Sequence, residues 1–447
     1  MNPTENRQWA WISVFGWILF LTLHLYGIFR AISFGGGDFD GFCQAGRWVV
    51  EGQPSRIYTG SPQFFYTPGF AWLFSFWAML PRVWSLLLFS VLKMILGLHV
   101  LWLLHQFMQG TRFLLWGGVL AWGFVLGGRP VLIDLEFGQI NWILVWISIW
   151  AGLLVLEENS RRPAWKTIVV GVVWSTFAVA KLIPLPLALF AFGAAVSRLR
   201  QTRGRLTERL THLKNLLVGS LVGGLGFIVL PFFFVSLSEG MDIYRSWLQS
   251  LLSLNRGFPV GFHNQSWFAF VVRWFTDGLG WFDSVILRAQ AGKVLVGSSL
   301  VVSGLLFFLG QKTQGIIRRK ELREARIDQA MALGIAGVLV LFALHVVWKA
   351  YFVWAIPLSV VLVEKFRVCF SGSVLGQASA PVQEQISISR RTVTAALVCV
   401  LISSLAISPV IGERAAAACQ SLSLMLWMSG VSSIFAYRLL SVRDHRG

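Results

Sequence analysis

The sequence predicts an all-α protein, a polytopic bundle of about 10–12 membrane-spanning helices. Three observations carry that expectation. The chain has 447 residues, of which 56% are hydrophobic and only 13% charged, whereas soluble domains carry about 25% charged residues. A water-soluble fold of this length has no place to hide so much apolar surface. The apolar residues also come in runs of bilayer length, and the basic residues gather in short segments between those runs.

A spanning helix needs about 20 apolar residues. Runs of that kind lie at 9–30, 83–105, 113–128, 140–156, 215–235, 293–310, 330–348, 351–364, 394–411 and 417–440. Shorter apolar pieces lie at 68–80, 166–180 and 182–197, several of them interrupted by Pro or Gly. Such pieces are tolerated where neighbouring helices cover the backbone. The first run lacks a small-residue cleavage site and is too long for a signal peptide, so it reads as an uncleaved helix.

Charge gives the orientation. The loop 198–214 carries Arg198, Arg200, Arg203, Arg205, Arg209 and Lys214 against Glu208, and 312–328 carries Lys312, Arg318, Arg319, Lys320, Arg323 and Arg326. With the tail Arg438, Arg443 and Arg446, these read as cytoplasmic. Residues 1–447 then form a single integral membrane domain in a bacterial inner membrane. It has a cytoplasmic N-terminus at 1–8, a first exoplasmic loop at 31–67, a second at 236–292, and a Ser-, Gln- and Ala-rich cytoplasmic linker at 365–393. One conflict stands: an odd number of crossings must separate the first helix from loop 198–214, and six candidates lie between them. Either a short piece is re-entrant or 129–139 hides another crossing.

The net charge of +18 follows the same positive-inside pattern, so nucleic acid is not an expected partner. Cys43, Cys369, Cys399 and Cys419 have no CxxC spacing, which excludes a disulfide framework and a zinc site. No P-loop, strand-linked GxGxxG, HExxH or GxSxG is present. An ATP-driven pump, a Rossmann enzyme and a serine hydrolase are therefore disfavoured.

Five groups of polar residues sit where apolar runs end. Asp38 and Asp40, in Gly35-Gly36-Gly37-Asp38-Phe39-Asp40, follow the first helix; two carboxylates there suit a general base, or else a solvated turn with an Asp cap. Gln139 and Asn141 open an apolar run and suit a sugar hydroxyl or a neighbouring helix; Arg129 and Asp134 just before them are placed to pair. Lys181 lies between two apolar runs, a costly position that calls for an anion or for snorkelling to water. His263, Asn264, Gln265 and Ser266, with Arg273 downstream, suit a binding lip or a helix cap. Finally His345, Lys349 and Tyr351 flank Trp348 at another junction, as interfacial anchors or headgroup contacts.

These pieces occur in a familiar order: Asp38-Phe39 with Phe42, Ala45, Gly52 and Tyr58; Tyr66-Thr67-Pro68; Gly138-Gln139-Ile140-Asn141; Lys181-Leu182-Ile183-Pro184; His263-Asn264-Gln265-Ser266; and Trp348-Lys349-Ala350-Tyr351. The set resembles glycosyltransferase family 87, polyprenol-phosphate-mannose-dependent mannosyltransferases of GT-C fold, over roughly residues 10–365. The resemblance implies transfer of a hexose, mannose, from a polyprenyl-phosphate donor to a lipid or glycan acceptor at the exoplasmic surface, with inversion. It implies Asp38 as the general base, with Asp40 as its rival. Lys181, and less strongly Lys349 and Arg129, would meet the donor phosphate. Gln139, Asn141, His263, Asn264, Gln265, Tyr66 and Tyr351 would read the sugar or the acceptor. No metal or other cofactor is implied, since a lipid monophosphate has no pyrophosphate to hold, and Asp38-Phe39-Asp40 lies on the wrong side to bind a nucleotide sugar.

The chain departs from the family pattern in two places. Relatives carry histidine after the last Trp, where this chain has Lys349-Ala350-Tyr351, which leaves Tyr351 or His345 as substitutes. Thr67 also replaces a second proline. The rival reading is a transporter or flippase of lipid-linked sugars, which needs the same headgroup contacts and no base.

Overall fold

The computed structural model describes residues 3–34, 36–59, 64–108, 113–157, 163–201, 206–256, 265–274, 291–317, 322–344, 347, 349–370, 380–405 and 423–441. Among them every regular element is helical. In chain order the α-helices are α1 (Pro3–Phe34), α2 (Gly37–Val50), α3 (Pro68–Ala78), α4 (Arg82–Met108), α5 (Phe113–Leu126), α6 (Gly128–Glu136), α7 (Asn141–Leu156), α8 (Ala164–Ala180) and α9 (Leu187–Gln201). There follow α10 (Leu206–Val229), α11 (Leu237–Arg256), α12 (Trp267–Val271), α13 (Ala291–Ile317), α14 (Leu322–Ala343), α15 (Ile356–Phe370), α16 (Ala380–Leu405) and α17 (Leu424–Ser441). Short 3₁₀ turns lie at Pro54–Tyr58, Leu230–Phe233 and Lys349–Ala355.

Five of the described helices are long and apolar enough to cross a bilayer, and α5 with α6 makes a sixth if that bent pair counts as one span. α7, α8, α9 and α17 are shorter apolar helices. α14 lies deepest, with most of its apolar length buried among its neighbours. α1 instead exposes Trp11, Phe15, Ile18, Leu25 and Phe29, the face that a helix turns towards lipid. Neighbours approach closely where side chains are small: a Cβ on Gly219 or Gly223 of α10 would stand 2.2 or 2.3 Å from a carbonyl oxygen of α8.

Helix lengths bear on the odd-crossing conflict. α3 has eleven residues, so at about 1.5 Å per residue it covers about 16 Å, half of a bilayer core. It is too short to cross unaided, and it packs against α2. The run at 113–128 is broken: α5 turns by 74° into the nine-residue α6, and 129–139 holds α6 rather than a further span. Counted as one crossing each, α4, the α5–α6 pair, α7, α8 and α9 would put an odd number between α1 and the basic 198–214 segment.

Three boundaries differ from the sequence reading. α14 starts at Leu322 rather than near 330, because its charged first turns are paired: Arg323 meets Glu364 at 3.1 Å and Asp328 meets Lys365 at 3.1 Å. The expected linker 365–393 is helical at both ends, since α15 runs on to Phe370 and α16 begins at Ala380. The buried Arg367–Glu364 pair at 2.7 Å carries α15 past its apolar run. The first loop, 31–67, contains a full helix, α2.

Candidate active site

The site forms where the junctions α1–α2, 3₁₀ turn–α3, α6–α7, α8–α9 and α14–α15 meet. Its seat is the turn 134–139. Gln139 N–H donates to Asp134 O at 3.0 Å to close the turn, and Gly138 takes a positive φ of 64°. A side chain there would collide with Phe39, whose Cβ lies 2.4 Å from the place a Gly138 Cβ would occupy. The N-terminus of α2 rests on this turn. Gly36 N–H donates to Glu136 O at 2.8 Å, and the Asp38 and Phe39 N–H groups donate to Phe137 O at 3.1 and 3.2 Å. Free amides at a helix start need such acceptors. Arg30 bonds Glu136 at 2.8 Å and ties α1 to the same turn.

Asp38 is thereby brought into the first turn of α2, half-buried, against Gln139 and Lys181. Lys181 follows the last residue of α8, and its Nζ donates to Asn141 Oδ1 at 2.8 Å. The Asn141 amide donates to Gln139 Oε1, and the Gln139 side chain in turn bonds the Asp38 carboxyl. An ammonium only donates and a carboxylate only accepts, so both amide orientations are fixed by the ends of the chain. Lys181, Asn141, Gln139 and Asp38 are one polarised line of hydrogen bonds.

Two phenol rings flank the lysine. Its Nζ stands 4.6 Å from the centre of the Tyr351 ring and 5.2 Å from that of Tyr66, a cation held on aromatic faces. Tyr66 is set by its backbone: Tyr58 Oη donates to Tyr66 O at 2.6 Å, Trp247 of α11 donates to Phe65 O at 3.2 Å, and Thr67 N–H reaches Ala180 O at 3.4 Å. Its ring stacks on Phe70, with centroids 4.7 Å apart.

Burial acts on each charge. It pushes the Asp38 carboxyl above the usual carboxylate range, while the positive charge of Lys181, the bond from Gln139 and the charge of Lys93 pull it back. Burial lowers Lys181 to about 8, against the raising pull of Asp38 and Asp134. The phenols of Tyr66 and Tyr351 are pushed up by burial and by Asp38 nearby, so both stay protonated donors.

Of the residues singled out in the sequence, Asp38, Tyr66, Gln139, Asn141, Lys181 and Tyr351 come together. Asn141 is fully buried and Gln139 is 7% exposed, so their amides serve the hydrogen-bonded line first. Asp40 faces away: Arg82 grips both of its oxygens, at 2.8 and 2.9 Å, in a partly exposed pair. Arg129 is half-buried on α6 and joins none of the contacts described above. Its expected partner, Asp134, pairs with Lys93 at 2.9 Å instead. Gln265 is buried, its N–H donates to Val347 O at 2.8 Å, and Ser266 caps α12 by accepting from Ala269 N–H at 3.2 Å. Arg273 donates to Ser423 Oγ at 2.9 Å. His263, Asn264, His345, Trp348 and the side chain of Lys349 lie outside the described residues.

Sequence reasoning missed Lys93. It lies within the apolar run 83–105, where an ionisable side chain is expensive and marks a functional position by default. That signal was present and was masked by the hydropathy around it.

No curated protein matches the chain. Among solved structures, the chain is similar to the crystal structure of ArnT from Cupriavidus metallidurans bound to undecaprenyl phosphate. The two share 15% identity over 94% of this chain and 78% of that one, with a TM-score of 0.43. The model of glycosyltransferase family 87 matches residues 64–317, a span that takes in the turn 134–139, Lys181 and Tyr66. It covers more than half of the chain, and the protein belongs to glycosyltransferase family 87.

Proposed function

We propose that this membrane glycosyltransferase moves a mannose from a polyprenyl-phosphate donor to a hydroxyl of a lipid or glycan acceptor, with inversion, on the exoplasmic face of a bacterial inner membrane. The observation that carries the reading is the joining of Asp38 to Lys181 through Gln139 and Asn141: a carboxylate to take a proton and a cation to receive a phosphate, held on one line. Asp38 accepts the proton of the acceptor hydroxyl as its oxygen attacks the anomeric carbon. The bond from that carbon to the phosphate oxygen breaks, and the negative charge growing on the lipid phosphate falls to Lys181 and the phenol protons of Tyr66 and Tyr351. Asp40 is the weaker candidate for the base, because Arg82 occupies both of its oxygens. The exoplasmic assignment is supported by parity. The basic segments at 198–214 and 312–328 lie at helix junctions that alternate with those supplying Asp38, Lys181 and Tyr351.

The test incubates purified protein with polyprenyl-phosphate-mannose and crude membrane lipid and looks for a hexose mass shift in the product. Asp38→Asn is expected to lose about 10²–10⁴ of the rate, the usual contribution of a general base. Transfer at the wild-type rate by that variant sinks the assignment. Binding of the donor lipid with no product from the wild-type protein favours the transporter reading.

A further inference from the structure

Beneath the reacting groups stands a pair of side chains that the transfer itself does not touch. Lys93, within α4, is fully buried, and its Nζ donates to Asp134 O at 2.6 Å, to Asp134 Oδ2 at 2.9 Å and to Gln139 O at 3.0 Å. An ammonium has three donors, so all three are spent and none remains for a substrate. The side chains of the pair are 0% and 2% exposed. Cohesion alone does not account for it, because well-packed apolar residues usually hold a buried site as well as an ion pair does.

What distinguishes the pair is where its bonds fall. Both carbonyls that Lys93 holds belong to the turn 134–139. The next carbonyls of that turn, Glu136 O and Phe137 O, take the N–H groups of Gly36, Asp38 and Phe39, and the Gln139 side chain meets the Asp38 carboxyl. Lys93 is itself anchored, since Trp142 Nε1 of α7 donates to its carbonyl at 3.0 Å. α4, α7 and the start of α2 are thus keyed to one another at a single ammonium.

We propose that Lys93, neutralised by Asp134, is a positioning residue that sets the place of the Asp38 carboxyl and the Gln139 amide by pinning the turn on which α2 is seated. The proposal rests on Asp38 being the base. The charged and titratable groups facing Asp38 are Lys181 from the α8–α9 junction, Lys93 from α4, Tyr66, and Tyr351. Asp40, on its own helix, is neutralised by Arg82. Loss of Lys93 therefore also removes one of the positive charges that keep Asp38 ionised.

The experiment uses the full-length protein in detergent and the paired variant Lys93→Gln/Asp134→Asn, which removes both charges together and leaves no buried ion uncompensated. It reads kcat and donor KM, the pH profile, and hydrogen exchange of the segment 36–40. The expected result is a fall in kcat of about tenfold or more with little change in KM. Exchange quickens at 36–40 while 41–50 keeps its protection, and the acid limb of kcat/KM stays close to wild type because the two opposite charges leave together. Lys93→Arg, which keeps the charge in a different shape, also lowers kcat and quickens exchange at 36–40. Wild-type kcat and exchange in the paired variant overturn the proposal. If the paired variant does not fold, Lys93→Arg alone decides: a fall in kcat of about tenfold with faster exchange at 36–40 is expected, and wild-type kcat and exchange overturn the proposal. If the wild-type protein transfers no sugar, the reading of the site fails, while the exchange data still decide whether Lys93 seats α2.

Discussion

Lys181 is charged only below its lowered pKa, and Asp38 only above its raised one. The two limits bound the active range. As pH falls through the raised Asp38 value the proposed base becomes protonated, so kcat/KM is expected to be lost on the acid side at a pH above the range of a solvent-exposed aspartate. As pH rises through about 8 the Lys181 ammonium loses its charge, and with it the attraction for the donor phosphate. A bell-shaped profile of kcat/KM with its alkaline limb near about 8 is expected, measured as initial rates across pH. Lys181→Arg, which stays charged throughout, is expected to lift the alkaline limb out of the measurable range. Asp40→Asn is expected to leave transfer within about fivefold of wild type, because exposed pairs contribute about 0.2–1 kcal/mol. A loss as deep as that of Asp38→Asn would reverse the assignment of the base.

At the scale of the elements, the backbone of turn 134–139 matters more than any one side chain. Gly138→Ala would force a left-handed φ on a residue with a Cβ, at about 1–2 kcal/mol, and drive that Cβ into Phe39. Lower thermal stability in detergent and a steep loss of transfer are expected together, since the same collision lifts α2 and Asp38 off their seat. The sequence made the residues of this turn visible but not their pairing. Gln139, Asn141 and Lys181 announced themselves because polar groups at the ends of apolar runs are few. That Asn141 would point inwards and join Lys181 to Gln139 depended on the register of α7 against α8, which no local pattern carries. Lys93 was lost because a hydropathy window averages one ammonium into its apolar neighbours. Asp134 was given to Arg129, its sequence neighbour, when the true partner stands on α4, 41 positions away. Element boundaries erred in the same sense at α14 and α15, where ion pairs between helices extend them beyond their apolar runs.

Across the whole molecule, the all-α membrane architecture was legible from composition and run length, whereas the shortness of α3 was not. The proposed side of the membrane at which the site opens is directly testable. In a cysteine-free background, Ser61→Cys is expected to react with a membrane-impermeant maleimide added outside intact cells, and Gly204→Cys only after permeabilisation. The reverse pattern would place the site in the cytoplasm.

The line of hydrogen bonds from ammonium to carboxylate also bears on how the reaction ends. Before transfer, Asp38 partly cancels the field of Lys181. On the proposed mechanism, once Asp38 has taken the acceptor proton that cancellation is gone, and the spent lipid carrier meets a cation opposed by Asp134 alone at the moment it leaves the sugar. If Asp38 is the base, the enzyme would grip its by-product until the carboxyl gives up its proton, and deprotonation of Asp38 would become the release step. Asp38→Asn, frozen in that state, is expected to hold polyprenyl phosphate more tightly than the wild-type protein does at neutral pH. Equal affinity would show that the two ends of the line do not sense one another.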